Sequence, residues 1–131
     1  MYAELKRRCR TCEKMKDKKE FHRISRGKAT TQPDCKNCRS NYEFSRGLRR
    51  NYNLTVDEYN KMLLSQDDRC ACCGSHKSEF KRRLHVDHDH VTGEIRGLLC
   101  TLCNPLIGYA KEKIVRLVQA TDYLQKFKKL G

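Results

Sequence analysis

Four cysteine pairs in this chain share one spacing: Cys9–Cys12, Cys35–Cys38, Cys70–Cys73 and Cys100–Cys103. Each is C-x-x-C, which lets two thiolates on a tight turn reach one tetrahedral ion. Taken in order, the pairs close into two four-thiolate sites, with 22 residues inside the first and 26 inside the second. Each site is expected to hold one structural Zn²⁺. Cys72, the ninth cysteine, reads as a knuckle residue without a ligand role, although it could compete with Cys73. Such staples answer a composition problem. A chain of 131 residues, 37% hydrophobic and without tryptophan, builds only a thin core by itself. The first ten residues are basic and polar, unlike a signal peptide, and no apolar run approaches the roughly 20 residues of a membrane span. A cytoplasmic protein with no membrane partner is expected. There thiols stay reduced, and paired cysteines are more often metal ligands than disulfides.

Charge says what kind of partner suits the chain. The formal net charge is +13, and residues 1–53 carry 16 Lys/Arg against 6 Asp/Glu, while residues 54–131 carry 13 against 10. Two tetrathiolate zinc sites would each subtract two charges and leave about +9. Solubility alone asks for a net charge of only about 2–8 in a small domain. The excess fits a polyanion, DNA or RNA.

The chain divides in the reading into a basic N-terminal zinc module, 1–53, expected to bind DNA, and a second domain, 54–131. Within the first, the polar interior 13–34 reads as loops and at most a short hairpin. Residues 40–50 have helical composition, weakened at Gly47 by about 1 kcal/mol relative to alanine. Thr55 and Glu58 form a capping box, with Leu54 and Tyr59 at the staple positions. A helix is therefore expected over 56–65, with Tyr59, Met62 and Leu63 buried. The runs 84–88 and 95–99 flank a turn at Thr92–Gly93 and read as a β-hairpin. Asn104–Pro105 starts a helix, with proline tolerated in a first turn. Over 113–129, Ile114, Leu117, Val118, Thr121, Leu124 and Phe127 follow helical spacing. Packing of that stripe on the module's own hairpin is expected rather than dimerisation.

The chemistry is concentrated in Val86-Asp87-His88-Asp89-His90, inside the second cysteine site, and in Asn104 directly after Cys103. In a regular strand Asp87 and His88 point to opposite faces, so the hairpin must break its alternation if they act together. Phosphodiester cleavage needs a hard cation such as Mg²⁺ (or Mn²⁺), which takes oxygen ligands and keeps several waters. Asp87 and Asn104 suit the ligand roles, and His88 suits a base that takes a proton from the attacking water. His90 could contact the phosphate or substitute as the base. Asp89 could orient a histidine or face solvent, and Arg96 could contact DNA or sit on a strand surface. His22, His76 and His85 read as surface or packing residues.

The runs Leu84-His85-Val86-Asp87-His88-Asp89-His90 and Arg96-Gly97-Leu98-Leu99-Cys100-x-x-Cys103-Asn104, with Gly93 between them, resemble the recombination endonuclease VII family. So does the stretch from Tyr52-Asn53-Leu54-Thr55 to Cys70-x-x-Cys73-Gly74, and the resemblance covers about residues 52–125. It implies a small α+β, zinc-stapled HNH (ββα-metal) fold in which zinc is structural and the hairpin–helix holds one catalytic divalent ion. Asp87 and Asn104 are then the metal ligands and His88 the general base. Members of that family are phage-type nucleases that resolve branched DNA as dimers, often through long helices that this chain largely lacks. The expected function is therefore metal-dependent hydrolysis of duplex or branched DNA, by a monomer or a homodimer. The rival reading is a non-catalytic zinc protein that binds DNA and regulates it. That rival gives no reason for Asp87-His88 with Asn104. A zinc-dependent protein-interaction module is disfavoured by the charge on residues 1–53.

Overall fold

A computed structural model describes residues 5–27 and 30–128. The chain is small, α+β, and divides into two compact units, 1–56 and 57–131.

The first unit is built on its cysteines. Strands β1 (Lys6–Arg8) and β2 (Met15–Asp17) pair antiparallel around the turn that carries Cys9 and Cys12. In that turn the Cys9 amide donates to the Lys14 carbonyl, and the Glu13 amide to the Cys9 carbonyl. Glu13 takes the left-handed conformation (φ 59°) needed to fold the chain back. A second antiparallel pair, β3 (Phe21–Arg23) and β4 (Thr31–Cys35), leads into helix α1 (Lys36–Tyr52). The interior 13–34 thus holds parts of two hairpins, where at most one was expected. Three-residue strands show no measurable alternation, and it is the sulfur-bearing turns that fold them. Phe21 is buried with Cys9 and Cys35, and Cys12 and Cys38 pack against them. The Arg7 guanidinium lies 5.8 Å over the Phe21 ring and donates to the carbonyl and hydroxyl of Thr31, both at 2.6 Å.

Helix α1 is longer than the expected 40–50 at both ends. Its first turn is the Cys35-x-x-Cys38 segment itself, and it stops where Asn53 adopts φ 53°. There the Asn53 amide reaches the Arg49 carbonyl and the Leu54 amide the Leu48 carbonyl, a Schellman-type close. Gly47 is carried inside the helix beside the buried Leu48.

In the second unit, α2 spans Val56–Ser65, as the capping box predicts. Tyr59 is buried, and its hydroxyl donates to the Leu84 carbonyl at 2.7 Å. The knuckle at 70–75 repeats the first one bond for bond: the Cys70 amide donates to the Ser75 carbonyl and the Gly74 amide to the Cys70 carbonyl, with Gly74 at φ 75°. Strands β5 (His85–His88) and β6 (Ile95–Leu99) form the expected hairpin, followed by α3 (Cys103–Tyr109) and α4 (Ile114–Gln125). Leu84, Val86, Leu98 and Leu99 are buried with Cys70, Cys100 and Cys103. Gln66 closes the open edge of β6. Its side chain accepts from the Leu98 amide (2.9 Å) and donates to the Leu98 carbonyl (3.0 Å), replacing a missing strand.

The C-terminal stripe does not pack as expected. Ile114 is 77% exposed, Val118 50%, Leu124 52% and Phe127 73%. The hairpin has no second apolar face to offer, because Asp87 and Arg96 occupy it. Among the described residues, no helix is long and apolar enough to cross a membrane.

Candidate metal centres and active site

Both cysteine tetrads assemble. The sulfurs of Cys9, Cys12, Cys35 and Cys38 lie within 4.8 Å of one another, as do those of Cys70, Cys73, Cys100 and Cys103. Zn–S bonds of about 2.3 Å at tetrahedral angles require S···S separations of ~3.8 Å. The Cys73 and Cys100 sulfurs stand 3.9 Å apart. All nine cysteines are free thiols, and backbone amides already point at the sulfurs: Cys35 at Cys9 (3.3 Å) and Cys100 at Cys70 (3.3 Å). The donor set therefore fits zinc.

Without metal the eight thiols are unequal. Burial pushes Cys9 up, but amides of Cys12, Cys35 and Thr11 outweigh it and bring it to about 6. The Ser75 hydroxyl and amide bring Cys73 to about 6. The hydrogen bond with Cys35, then burial, pushes Cys38 up to about 12. Burial raises Cys103 as well. Lys16 is held charged by its bond to the Cys35 sulfur, which places a cation on the first tetrad.

The proposed cutting residues sit on the hairpin and on the helix behind it. Asp87 faces Gly97, but His88 faces Ile95, so the ladder skips Arg96. The extra residue lies on β6, so the bulge interrupts the alternation of β6 and not that between Asp87 and His88, and the Arg96 side chain reaches the opposite strand. Arg96 Nε donates to Asp87 Oδ2 at 2.8 Å and Nη2 to Oδ1 at 3.0 Å, a two-pronged grip. On its other side Arg96 reaches Glu112, Nη2 to Oε1 at 3.1 Å and Nη1 to Oε2 at 3.5 Å. The Asp87 contact first, and Glu112 after it, hold Arg96 firmly protonated. His90 Nε2 lies 3.5 Å from the same Glu112 oxygen, and the His88 and His90 rings stand 4.6 Å apart.

Asp89 has a local structural role. Its Oδ1 accepts the amides of Val91 (2.7 Å) and Thr92 (2.9 Å), forming the turn that ends β5, and these donors lower its carboxyl. Asn104 occupies the first turn of α3, one residue past Cys103, with its amide N–H on the Cys100 carbonyl (3.1 Å). Among the described residues its side chain has no hydrogen-bond partner, and none joins it to Asp87. A half-buried amide oxygen is thus left available. His76 caps a 3-10 turn through Ser78, a local role. His85 is half-buried in β5 and His22 exposed in β3.

Two functional neighbours were not legible in the chain. Arg96 was as easily a strand-surface residue as a DNA contact, and the bulge that turns it inward has no sequence mark. Glu112 is a single acid between two helices, and only the fold brings it to Arg96.

The cysteine-framed hairpin β5–β6 and the helix α3 that follows it make a small ββα unit. Residues 45–126 match the family model of recombination endonuclease VII, and the chain belongs to that family. It is 39% identical over 99 residues to the Gene 59 protein of Mycobacterium phage D29, covering 75% of this chain and 59% of that protein. With the Gene 59 protein of Mycobacterium phage L5 it shares 38% identity over 97 residues, 73% of this chain and 58% of that one. The chain therefore spans under two thirds of the length of these relatives. Among solved structures it is similar to the ββα-Me type II restriction endonuclease Hpy99I, with 23% identity and a TM-score of 0.40, over 95% of this chain and 67% of that one.

Proposed function

We propose that this protein is a metal-dependent DNA endonuclease of the HNH type, hydrolysing phosphodiester bonds in duplex or branched DNA through one Mg²⁺ or Mn²⁺ ion. The observation that carries the reading is the bulged β5–β6 hairpin running into the cysteine-anchored α3. It presents Asp87, His88 and His90 from the strand end and Asn104 from the helix start.

Asp87 and the free amide oxygen of Asn104 would hold the cation; two oxygen donors suit an ion that keeps most of its waters. Bound there, it would polarise the scissile phosphate and stabilise the leaving oxygen. His88 takes the proton of the attacking water, with no covalent intermediate. His90, mostly exposed and beside Glu112, contacts the phosphate or takes over as base. A double-strand break needs a homodimer or two successive nicks. A cytoplasm, which keeps thiols reduced, would suit the cysteine tetrads as zinc ligands.

The first unit holds DNA phosphates. A cavity of about 440 Å³ there is lined by Lys18, Lys19, His22, Arg23 and Lys36 around Phe21 and Thr31, with no acidic side chain in its lining. The zinc-held hairpin β3–β4 fixes that concentration of charge, which suits a polyanion.

Asn104→Ala tests the ligand set. Cleavage falls by at least a hundredfold, while fluorescence anisotropy shows DNA affinity unchanged within about threefold. An Asn104→Ala protein that cuts normally removes Asn104 from the site. Loss of cutting in every variant and in the wild type, with DNA still bound, favours a non-catalytic zinc DNA-binding protein.

A further inference from the structure

Asp87 is the proposed metal ligand, yet both of its oxygens accept hydrogen bonds from one guanidinium. Arg96 fixes the orientation of the carboxylate, and it also sets a permanent positive charge where a divalent cation has to arrive. The groups are only partly exposed, 13% for the Asp87 side chain, 36% for Arg96 and 27% for Glu112, so solvent screens that repulsion incompletely.

Glu112 stands on the far side of the same guanidinium and takes two of its N–H groups. Arg96 therefore lies between two carboxylates, one a proposed ligand and the other not. The position of Glu112 is set by the backbone. Lys111 (φ 52°) and Glu112 (φ 58°) are consecutive left-handed residues, a conformation side chains seldom adopt. Their amides donate to the Gly108 (2.9 Å) and Ile107 (3.1 Å) carbonyls and close the end of α3. Asn104 lies in the first turn of that seven-residue helix, and Glu112 lies in the turn that follows its end.

We propose that Glu112 is a positioning residue, an alternative seat for Arg96 that keeps Asp87 open to the divalent cation. With the cation at Asp87, the guanidinium keeps its bonds to Glu112, its charge stays compensated, and Asp87 keeps its aim. Without Glu112, the whole guanidinium falls to Asp87 and competes with the metal. The inference rests on Asp87 being a ligand.

The opposite charges of Glu112 and Arg96 give their neutral variants effects of opposite sign on metal binding. Mn²⁺ binding to the zinc-loaded protein, followed by the loss of free-ion EPR signal, reads it without any cleavage. Glu112→Gln weakens Mn²⁺ binding by about tenfold, and Arg96→Gln tightens it by roughly threefold or more. In the Arg96→Gln background, Glu112→Gln changes the affinity by less than about twofold, because nothing remains for it to hold. Glu112→Asp keeps the charge but shortens the reach, and falls between wild type and Glu112→Gln. A merely structural ion pair predicts losses of the same sign in both single variants, and that result, or an unaffected Glu112→Gln, overturns the proposal. Asp87→Asn separates the underlying reading: if it binds Mn²⁺ like wild type, Asp87 is not a ligand. If it loses Mn²⁺ while Glu112→Gln does not, only the role of Glu112 falls. Zinc content of two per chain in each variant shows that the fold is retained.

Discussion

Asp87, His88 and Asn104 were legible as candidates because each is a residue type that the proposed hydrolysis requires, inside or directly beside a cysteine frame. Their neighbours were not, because what they do depends on backbone features that no residue type announces. Arg96 grips Asp87 only through the bulge, and Glu112 arrives only through two left-handed residues. Gly97 is a third case. It sits opposite Asp87, and a Cβ there would lie 3.3 Å from Gln66 Oε1 and 3.4 Å from the Ala71 methyl. A methyl there has to displace Gln66, which holds both backbone groups of Leu98, by a few tenths of an ångström. Gly97→Ala pushes that side chain away and costs about 1–3 kcal/mol. The measurement is the urea midpoint of unfolding, which shifts downward. An unchanged midpoint would mean that Gln66 yields freely.

At the scale of elements, legibility followed length and capping. Helix α2 was bounded correctly because Thr55 and Glu58 mark its start and its turns are periodic. The β5–β6 hairpin was read from its flanking runs. The strands of the first unit were not resolved, since β1, β2 and β3 have three residues each and β4 is five mostly polar ones, and the C-terminal stripe was misplaced because periodicity shows an apolar face without showing what covers it. The two knuckles, by contrast, obey the C-x-x-C spacing alone and share the same pair of backbone bonds. Their metal chemistry has a definite pH dependence. Cys38 is pushed up to about 12 and Cys103 upward, so at pH 7 both hold protons that zinc must displace. Cys9 and Cys73, at about 6, are already ionised there and add protons to be displaced only on the acid side of that value. Zinc uptake thus releases protons, and apparent zinc affinity rises with pH from 6 to 9 and falls more steeply below 6. Competition with a chromophoric chelator across that range measures it. An affinity independent of pH would contradict thiolate ligation.

The proposed function divides labour between two units, each framed by a cysteine tetrad that fits zinc. The first concentrates cations around a cavity without an acidic lining residue, and the second carries the carboxylate, histidines and amide of the proposed hydrolytic site. Neither unit buries much apolar surface, so cysteine frames stand in for a large core and hold a short hairpin steady enough to aim side chains. The central claim is that this frame cuts DNA with His88 as its base. The most direct test is conversion of supercoiled plasmid and of a four-way junction in Mg²⁺, comparing wild type with His88→Ala at equal zinc content. The account predicts nicked or linear product from wild type and a loss of at least a hundredfold in the variant. A His88→Ala protein that cuts at the wild-type rate would contradict it.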